Sequence, residues 1–231
     1  MKSPARLEDG GSLVDLAVRR VRDHIRDSDL KVGDTLPGEG QFATDLGVSR
    51  AVMREAFGAL AALRLIDVAN GRRARVGAID GSVMGTSLDH AVATAQISVG
   101  EVWDVRRTLE LRTAELAARH RSDLDAAAIT AAATAMRTAG DIADVTRHDI
   151  AFHQAVARAS GNMLFLQIVR SFEPLMTVAV PLAWQTRDTD EARDEVLRRH
   201  GDIAQAIADG DGAAATALMD AHFDESIGSV L

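Results

Sequence analysis

Three histidines and one aspartate in the second half of the sequence have the residue types and the spacing of metal ligands. Asp149 and His153 are four residues apart in a segment of helical pattern, so they share one face of the helix. His200 and His222 flank a chain reversal at residues 210–212, and antiparallel helices can bring their imidazoles level with that pair. The chain has no cysteine, so a transition metal would be held by histidine nitrogen and carboxylate oxygen. The four side chains predict a site for a divalent ion, Zn or Ni, with a position left for a ligand carboxylate.

Three alternatives to a ligand-binding metal site stay open at this point. A histidine in a helical core often only hydrogen-bonds to its neighbours, and a bound metal can be purely structural. A divalent ion with an open coordination position can also activate water, as in a hydrolase. The hydrolase has little other support, since the sequence contains no glycine-rich phosphate loop, no nucleophile elbow and no second carboxylate spaced to act as a general base.

A second group of residues, in the first third of the chain, has the chemistry of a DNA contact. Arg50 and Arg54 are four apart and share one face of a predicted helix, opposite its apolar stripe. Arginine is suited to bidentate contact with guanine, and Ser49 would offer its hydroxyl and a helix N-terminus to a phosphate. The backbone at Gly71, with Arg72 beside it, could enter the minor groove.

Charge is distributed unevenly along the chain. The net charge of −8, taken alone, argues against nucleic acid as a partner, because DNA affinity comes largely from Lys and Arg. Residues 1–80 nevertheless hold 13 Lys and Arg against 12 Asp and Glu, whereas residues 81–231 hold 13 against 22. A basic face on an acidic chain is typical of a DNA-binding module joined to a domain with another task. A solvated basic surface without a ligand is the alternative.

The elements that must position the arginines form a helix-turn-helix with a wing. Apolar residues recur at spacings of three and four, Ser12 is available as a first helix cap, and Gly47 ends the second helix in a tight turn. The dipeptide Asn70-Gly71 then predicts a hairpin, because both positions tolerate positive φ. The predicted elements are helices over Leu13–Arg26, Glu39–Leu46 and Ser49–Leu63 and strands over Ile66–Ala69 and Ala74–Val76.

The remainder of the chain is helical in pattern and rich in alanine. Residues 79–98 are interpreted as a linker with one short helix around Ser87–Ala95, and no strand signal follows. The predicted fold class is mainly α, with a winged helix-turn-helix over residues 1–78, the linker, and an all-α helical bundle over residues 99–231. Breaks between the bundle helices are predicted at Gly140-Asp141, Gly161-Asn162, Pro174, Pro181 and Gly210-Asp211-Gly212.

The first third of the sequence resembles the GntR family of bacterial regulators. The resemblance implies a transcription regulator that binds double-stranded operator DNA. Many members have arginine where this chain has Gly40, so one usual DNA contact is missing. The matching residues are Leu36-Pro37-x-Glu39, Leu46-Gly47-Val48-Ser49-Arg50, Arg54-Glu55-Ala56 and Leu65-Ile66 leading to Asn70-Gly71-Arg72. By this resemblance the family's DNA-contacting positions are Ser49, Arg50, Arg54 and Gly71.

Residues 99–231 resemble the FCD ligand-binding domain carried by the FadR subfamily of that family. The matching elements are Val105-Arg106-x-x-Leu109-Glu110, Leu116-Ala117-Ala118, Asp149-x-x-Phe152-His153, Ser160-Gly161-Asn162, and His200-x-x-Ile203-x-x-Ala206-Ile207 with His222. In that family the aspartate and the three histidines bind the metal, and all four are present. The resemblance implies that Arg106 faces the pocket and hydrogen-bonds the carboxylate of a small organic or sugar acid, the alternative being a pair with Glu110. Asn162 would orient the same ligand or only start the next helix.

These features together predict a homodimeric repressor that leaves a palindromic operator when the acid binds. The predicted partners are operator DNA, a small carboxylate metabolite and a second copy of the chain. The N-terminus lacks the apolar stretch of a signal peptide, and no segment approaches the roughly 18 apolar residues that cross a bilayer, so we expect a cytoplasmic protein without a membrane partner.

Overall fold

The computed structural model describes residues 11–227, which divide into two compact units between Val83 and Met84. Residues 1–10 and 228–231, at the outer ends of the two predicted domains, lie outside the described residues. The described part of the chain forms eleven helices and one two-stranded sheet. The fold class is therefore mainly α, and this prediction is confirmed.

The first unit is a winged helix-turn-helix. Its elements are α1 Leu13–Asp27, α2 Glu39–Leu46, α3 Arg50–Ala62, β1 Ile66–Asp67 and β2 Arg75–Val76. Ser12 caps α1, and its hydroxyl accepts a hydrogen bond from the Asp15 backbone N–H while the Asp15 carboxylate accepts in return. Gly47 ends α2 with a left-handed φ of 67°, which only glycine adopts without steric cost. Apolar side chains from the three helices and both strands then share one core.

The wing strands are shorter than predicted. Antiparallel pairing joins Ile66 to Val76 and Asp67 to Arg75, so each strand has two residues. Val68 is 52% exposed, and a residue that buries so little apolar surface adds little to the pairing. The wing is therefore a short ribbon attached to the core through one buried residue in each strand.

The second unit is an all-helical bundle. Its helices are α4 Ser82–Ala93, α5 Val99–His120, α6 Asp123–Arg137, α7 Ile142–Ala159, α8 Met163–Ser171, α9 Glu173–Gln185, α10 Asp190–Asp209 and α11 Gly212–Ile227. Helices α5, α6, α7, α10 and α11 pack around one apolar core, in which Phe152, Ile203 and Met219 are fully buried. Helices α8 and α9 pack against α7. This arrangement places α7, α10 and α11 around a common interior.

Pro181 does not end a helix, and the predicted break there is wrong. The residue lies inside α9, although a proline in a helix interior costs about 3 kcal/mol. Met176 of the same helix is buried with Phe172 and Val102, and Ala179 packs against this cluster. We attribute the unbroken helix to this packing, which the local sequence does not reveal.

The segment predicted as a linker, residues 79–98, contains a helix that is longer than expected. Helix α4 starts at Ser82 rather than near Ser87. Its Leu88 and Val92 pack against a buried cluster of the second unit. Much of the predicted linker is therefore part of the helical unit.

No single helix among residues 11–227 is long and apolar enough to cross a membrane. Helices α8 and α9 reach the required length and composition only as a pair, and the pair is bent by 57° at its break.

Candidate functional site

Four buried side chains from three helices converge inside the bundle. Helix α7 carries Asp149 and His153 one turn apart, α10 carries His200 and α11 carries His222. Each imidazole offers one nitrogen atom, and these three atoms lie within 4.8 Å of one another. Asp149 Oδ1 lies 3.1 Å from His200 Nε2 and 3.8 Å from His153 Nε2. The structure thus brings together the four residues that the sequence predicts as metal ligands.

Hydrogen bonds on the far side of two of the rings determine which nitrogen faces the cluster. His200 Nδ1 lies 2.8 Å from the Val196 carbonyl oxygen, which can only accept, so this nitrogen carries the proton. His153 Nδ1 donates to the Glu110 carboxylate in the same way. The other nitrogen of that ring, His153 Nε2, is buried and has no hydrogen-bond partner among the described residues. Both rings therefore direct an Nε2 atom at the cluster.

The pKa values of Asp149 and His222 are shifted towards the forms that bind metal ions. Burial alone would raise the pKa of Asp149, but the hydrogen bond from His200 and the charge of His153 hold it below its usual range, so the carboxyl is ionised. The pKa of His222 lies well below 6.5, first because the ring is buried and then because the other two imidazoles oppose a further charge. Ionised carboxylate and neutral imidazole are the forms that bind metal ions.

This donor set fits a divalent first-row metal ion. Three imidazole nitrogens and one carboxylate oxygen suit zinc and neighbouring metals in a protein without cysteine. A neutral His200 ring carries one proton, so it cannot donate both to the Val196 carbonyl oxygen and, over 3.1 Å, to Asp149 Oδ1. A second proton on His200 would satisfy both contacts, and so would a metal ion between Nε2 and Oδ1.

A small cavity of about 40 Å³ is lined by three of the four residues, Asp149, His153 and His222. Arg106 in its wall is 3% exposed and donates from Nε to Glu110 Oε1 at 2.5 Å. The guanidinium carbon lies 5.0 Å from the centre of the Trp103 ring. Arg106 therefore both lines the cavity and pairs with Glu110, and its hydrogen bond to an effector carboxylate stays a prediction. Other residues of the wall include Val180, Trp184, Arg187 and Val196.

Two charged groups at the site, Arg187 and Glu110, were not predicted from the sequence as site residues. Arg187 follows the end of α9 and lines the cavity, with Nη1 donating to the Ala183 carbonyl oxygen. Whether the Arg187 side chain reaches the cavity depends on where the end of α9 lies in the folded unit, which the sequence does not reveal. Glu110 is visible in the sequence only as a partner for Arg106, whereas its contact with His153 joins residues 43 apart in the chain.

Asn162 does not lie in the wall of this cavity. The exposed side chain caps α8, where Oδ1 accepts a hydrogen bond from the Leu164 backbone N–H at 3.0 Å. Asparagine is favoured at this position because its short side chain replaces a missing helical hydrogen bond. The structure shows the second of the two alternatives from the sequence, in which Asn162 starts the next helix, and a contact with the effector stays a prediction.

In the first unit, helix α3 presents the predicted DNA-contacting residues on its surface. Ser49 caps the helix, and Arg50 and Arg54 are exposed on it. Arg54 Nε lies 3.7 Å from Glu39 Oε2, and an exposed ion pair of this kind costs little to break. Gly40 lies next to the Arg50 guanidinium, since a Cβ atom there would be 3.7 Å from Nη2. Both guanidinium groups are accessible to a ligand.

The tip of the wing is exposed and basic. Gly71 has a φ of +71° and no side chain, and the turn is closed by a hydrogen bond from Arg72 N–H to the Ala69 carbonyl oxygen. Arg72 and Arg73 follow on the surface. The wing tip therefore offers bare backbone beside two guanidinium groups.

Comparison with known families covers both units. Residues 13–76 match the bacterial regulatory proteins of the gntR family, and residues 101–225, more than half of the chain, match the FCD domain. The chain belongs to the GntR family. This GntR-family protein is a DNA-binding transcription regulator with an FCD ligand-binding domain rather than an enzyme, so the hydrolase alternative is excluded.

Known relatives of this GntR-family regulator include an activator and a repressor. The HTH-type transcriptional regulator LutR of Bacillus subtilis is 29% identical over 206 residues, which are 86% of this chain and 92% of that protein. The Glc operon transcriptional activator of Escherichia coli is 29% identical over 190 residues, 79% of this chain and 75% of that protein. The HTH-type transcriptional repressor NanR of Salmonella arizonae is 26% identical over 218 residues, 92% and 82% respectively. The solved structure of Streptococcus agalactiae GntR shares the fold, with a TM-score of 0.63 at 24% identity over 92% of this chain and 98% of that one.

Proposed function

We propose that this GntR-family regulator is a repressor of the FadR subfamily whose operator affinity is changed by a small organic or sugar acid bound at a metal centre. The observation that carries the proposal is the convergence of four buried ligand groups beside a cavity walled by Arg106. A buried guanidinium next to a metal-binding donor set suits an anion that contacts both. The ligand groups are Asp149, His153, His200 and His222.

Recognition of the acid is divided among the residues of the site. The four ligand groups would hold a divalent ion, Zn or Ni, and such an ion supplies an open coordination position for a carboxylate oxygen. Arg106 would donate charge-assisted hydrogen bonds to the same acid, and Arg187 adds a second positive group to the wall. A cavity of about 40 Å³ corresponds to about three water-sized positions, which favours a compact acid.

DNA binding is assigned to the first unit. Helix α3 would lie in the major groove, and the wing tip would reach the minor groove. A homodimer formed through the helical units would present two such modules to the half-sites of a palindromic operator, in the cytoplasm. The residues assigned to DNA contact are Ser49, Arg50, Arg54, Gly71 and Arg72.

The acid can act as a signal only if its affinity differs between the DNA-bound and DNA-free states. Such couplings are typically ~1–3 kcal/mol. The candidate ligands come from α7, α10 and α11, so a bound acid would be sensitive to how these three helices pack. In this proposal, binding of the acid changes the packing of these helices, and the changed packing lowers the affinity for the operator.

The test is operator release. Wild-type protein first selects an operator from a pool of random DNA duplexes, and mobility shifts are then titrated with small organic and sugar acids in the presence of Zn(II). We expect at least one acid to release DNA from the wild type but not from an Arg106→Met variant. If no acid changes operator affinity, induction by an acid is wrong; tighter binding on acid addition would instead indicate a co-repressed regulator or an activator.

Two further arms separate the DNA and metal parts of the proposal. Arg54→Ala should weaken operator binding by roughly 5- to 150-fold, the equivalent of about 1–3 kcal/mol for one base contact, whereas Arg137→Ala on the exposed surface of the second unit should have no effect. Dialysis against a chelator should abolish release by the acid. A lower melting temperature after dialysis, with an unchanged response to the acid, would mean that the metal is purely structural.

A further inference from the structure

Glu110 is a fully buried carboxylate with two different donors, one on each oxygen. It lies on α5 at 0% exposure. Its Oε2 accepts from His153 Nδ1, and its Oε1 accepts from Arg106 Nε at 2.5 Å. The Arg106 guanidinium is a permanent cation, and its contact with Oε1 favours the ionised carboxylate. One anion thus contacts both a candidate metal ligand and the cavity arginine.

We propose that Glu110 is a positioning residue that fixes the tautomer and orientation of His153, so that the Nε2 lone pair is directed into the metal centre. The inference deepens the proposed function and rests on it. Its direct support is that His153 Nδ1 is engaged by Glu110 while His153 Nε2 is buried without a partner and faces Asp149 at 3.8 Å. Carboxylates that hold metal-ligating histidines in this way raise metal affinity.

The site requires a carboxylate rather than any polar group at position 110. Each oxygen of Glu110 accepts from its own donor, and an amide offers only one acceptor oxygen. In a Glu110→Gln variant the amide N–H would meet either Arg106 Nε–H or His153 Nδ1–H. A guanidinium cannot give up its proton, so we expect the imidazole to change tautomer. His153 Nε2 would then carry a proton and could no longer bind a metal.

Metal affinity provides the first test. Metal-free full-length protein competes for Zn(II) with a chromophoric chelator, and the wild type is compared with Glu110→Gln and Glu115→Gln. Glu115 is the matched control because it lies on the same helix but pairs with Arg112 and Arg119 near the surface. We expect roughly 10- to 100-fold weaker Zn(II) binding for Glu110→Gln and an unchanged affinity for Glu115→Gln. Circular dichroism checks that both variants keep their helix content.

The imidazole tautomer provides a second readout that a merely structural role would not move. Long-range ¹⁵N–¹H correlation spectra of metal-free protein, assigned with a His153→Gln variant, should find His153 protonated at Nδ1 in the wild type and at Nε2 in Glu110→Gln. A double variant, Arg106→Met with Glu110→Gln, removes the competing donor. The amide oxygen is then available to His153 Nδ1–H, and most of the lost Zn(II) affinity should return.

The outcomes separate this inference from the proposed function. A wild type that binds neither Zn(II) nor Ni(II) would overturn the metal centre itself. A wild type that binds Zn(II) while Glu110→Gln binds it equally well, with His153 still protonated at Nδ1, would overturn the role of Glu110 alone. If Glu110→Gln does not fold, the wild-type spectrum decides, because a His153 protonated at Nε2 in the metal-free protein contradicts the inference.

Discussion

At the scale of single residues, burial sets how the candidate ligands respond to pH. His222 has a pKa well below 6.5 in the folded protein, so the folded state binds fewer protons than the unfolded state in mild acid. The free energy of unfolding therefore falls as the pH drops through about 6.5. Asp149 has a lowered pKa, so its stabilising contribution is present above its unfolded value of 3.8 and is lost only as the pH falls further. Between neutral pH and about pH 5, of these two groups the histidine dominates.

We accordingly expect the metal-free protein to be less stable at about pH 5.5 than at about pH 7.5. The same change in pH should lower the free energy of unfolding of a His222→Gln variant by less. If a histidine stays neutral in the folded protein, the free energy of unfolding falls by about 1.4 kcal/mol when the pH is one unit below the ordinary histidine pKa. Urea unfolding followed by tryptophan fluorescence measures the difference, because both tryptophans, Trp103 and Trp184, lie in the second unit. The exposed His90→Gln should behave as the wild type. Equal losses in wild type and His222→Gln would contradict the assignment.

At the scale of secondary-structure elements, boundaries set by local hydrogen bonds could be predicted from the sequence. Ser12 and Ser49 cap their helices, and Gly47 ends α2, because each acts through atoms within a few residues. The break predicted at Pro181 was wrong because this boundary depends on long-range packing. The contact of α9 with the cluster around Phe172 outweighs the local cost of a proline.

The candidate site divides in the same way between local and long-range signals. The pair Asp149 and His153 follows from helix periodicity, and the pairing of His200 with His222 follows from a glycine-marked reversal between two helices. The contact of Glu110 with His153 depends on how α5 packs against α7, so no spacing in the sequence predicts it.

The turn of the helix-turn-helix gives a prediction at this scale. Gly47 has a φ of 67° with open space around it, so Gly47→Ala should destabilise the first unit by about 1–2 kcal/mol through backbone strain alone. Gly58 lies inside α3, also with open space, and Gly58→Ala should stabilise the helix by about 0.5–1 kcal/mol. Hydrogen exchange of residues 50–62 in the full chain measures both changes. If both substitutions change the stability in the same direction, steric crowding or packing, rather than the backbone φ angle, determines the effect of the added methyl group.

At the scale of the whole molecule, the two tasks are carried by separate units with different chemistry. The first has exposed arginines on α3 and the wing, and the second has a buried group of charged and histidine side chains beside a cavity. Because α7, α10 and α11 supply all four candidate ligands, metal binding should stabilise the second unit directly.

Because the candidate ligands all lie in the second unit, we expect Zn(II) to stabilise that unit and not the first. At about 100 times its dissociation constant, Zn(II) adds about 2.7 kcal/mol to the folded state that binds it. For a unit of this size, we expect the melting temperature reported by Trp103 and Trp184 to rise by about 5–10 °C. Hydrogen exchange in α3 should not change, because the first unit contributes no candidate ligand. In His200→Gln the rise in melting temperature on addition of Zn(II) should vanish. An undiminished rise in this variant would mean that Zn(II) binds to other groups and that the buried cluster is not the metal centre.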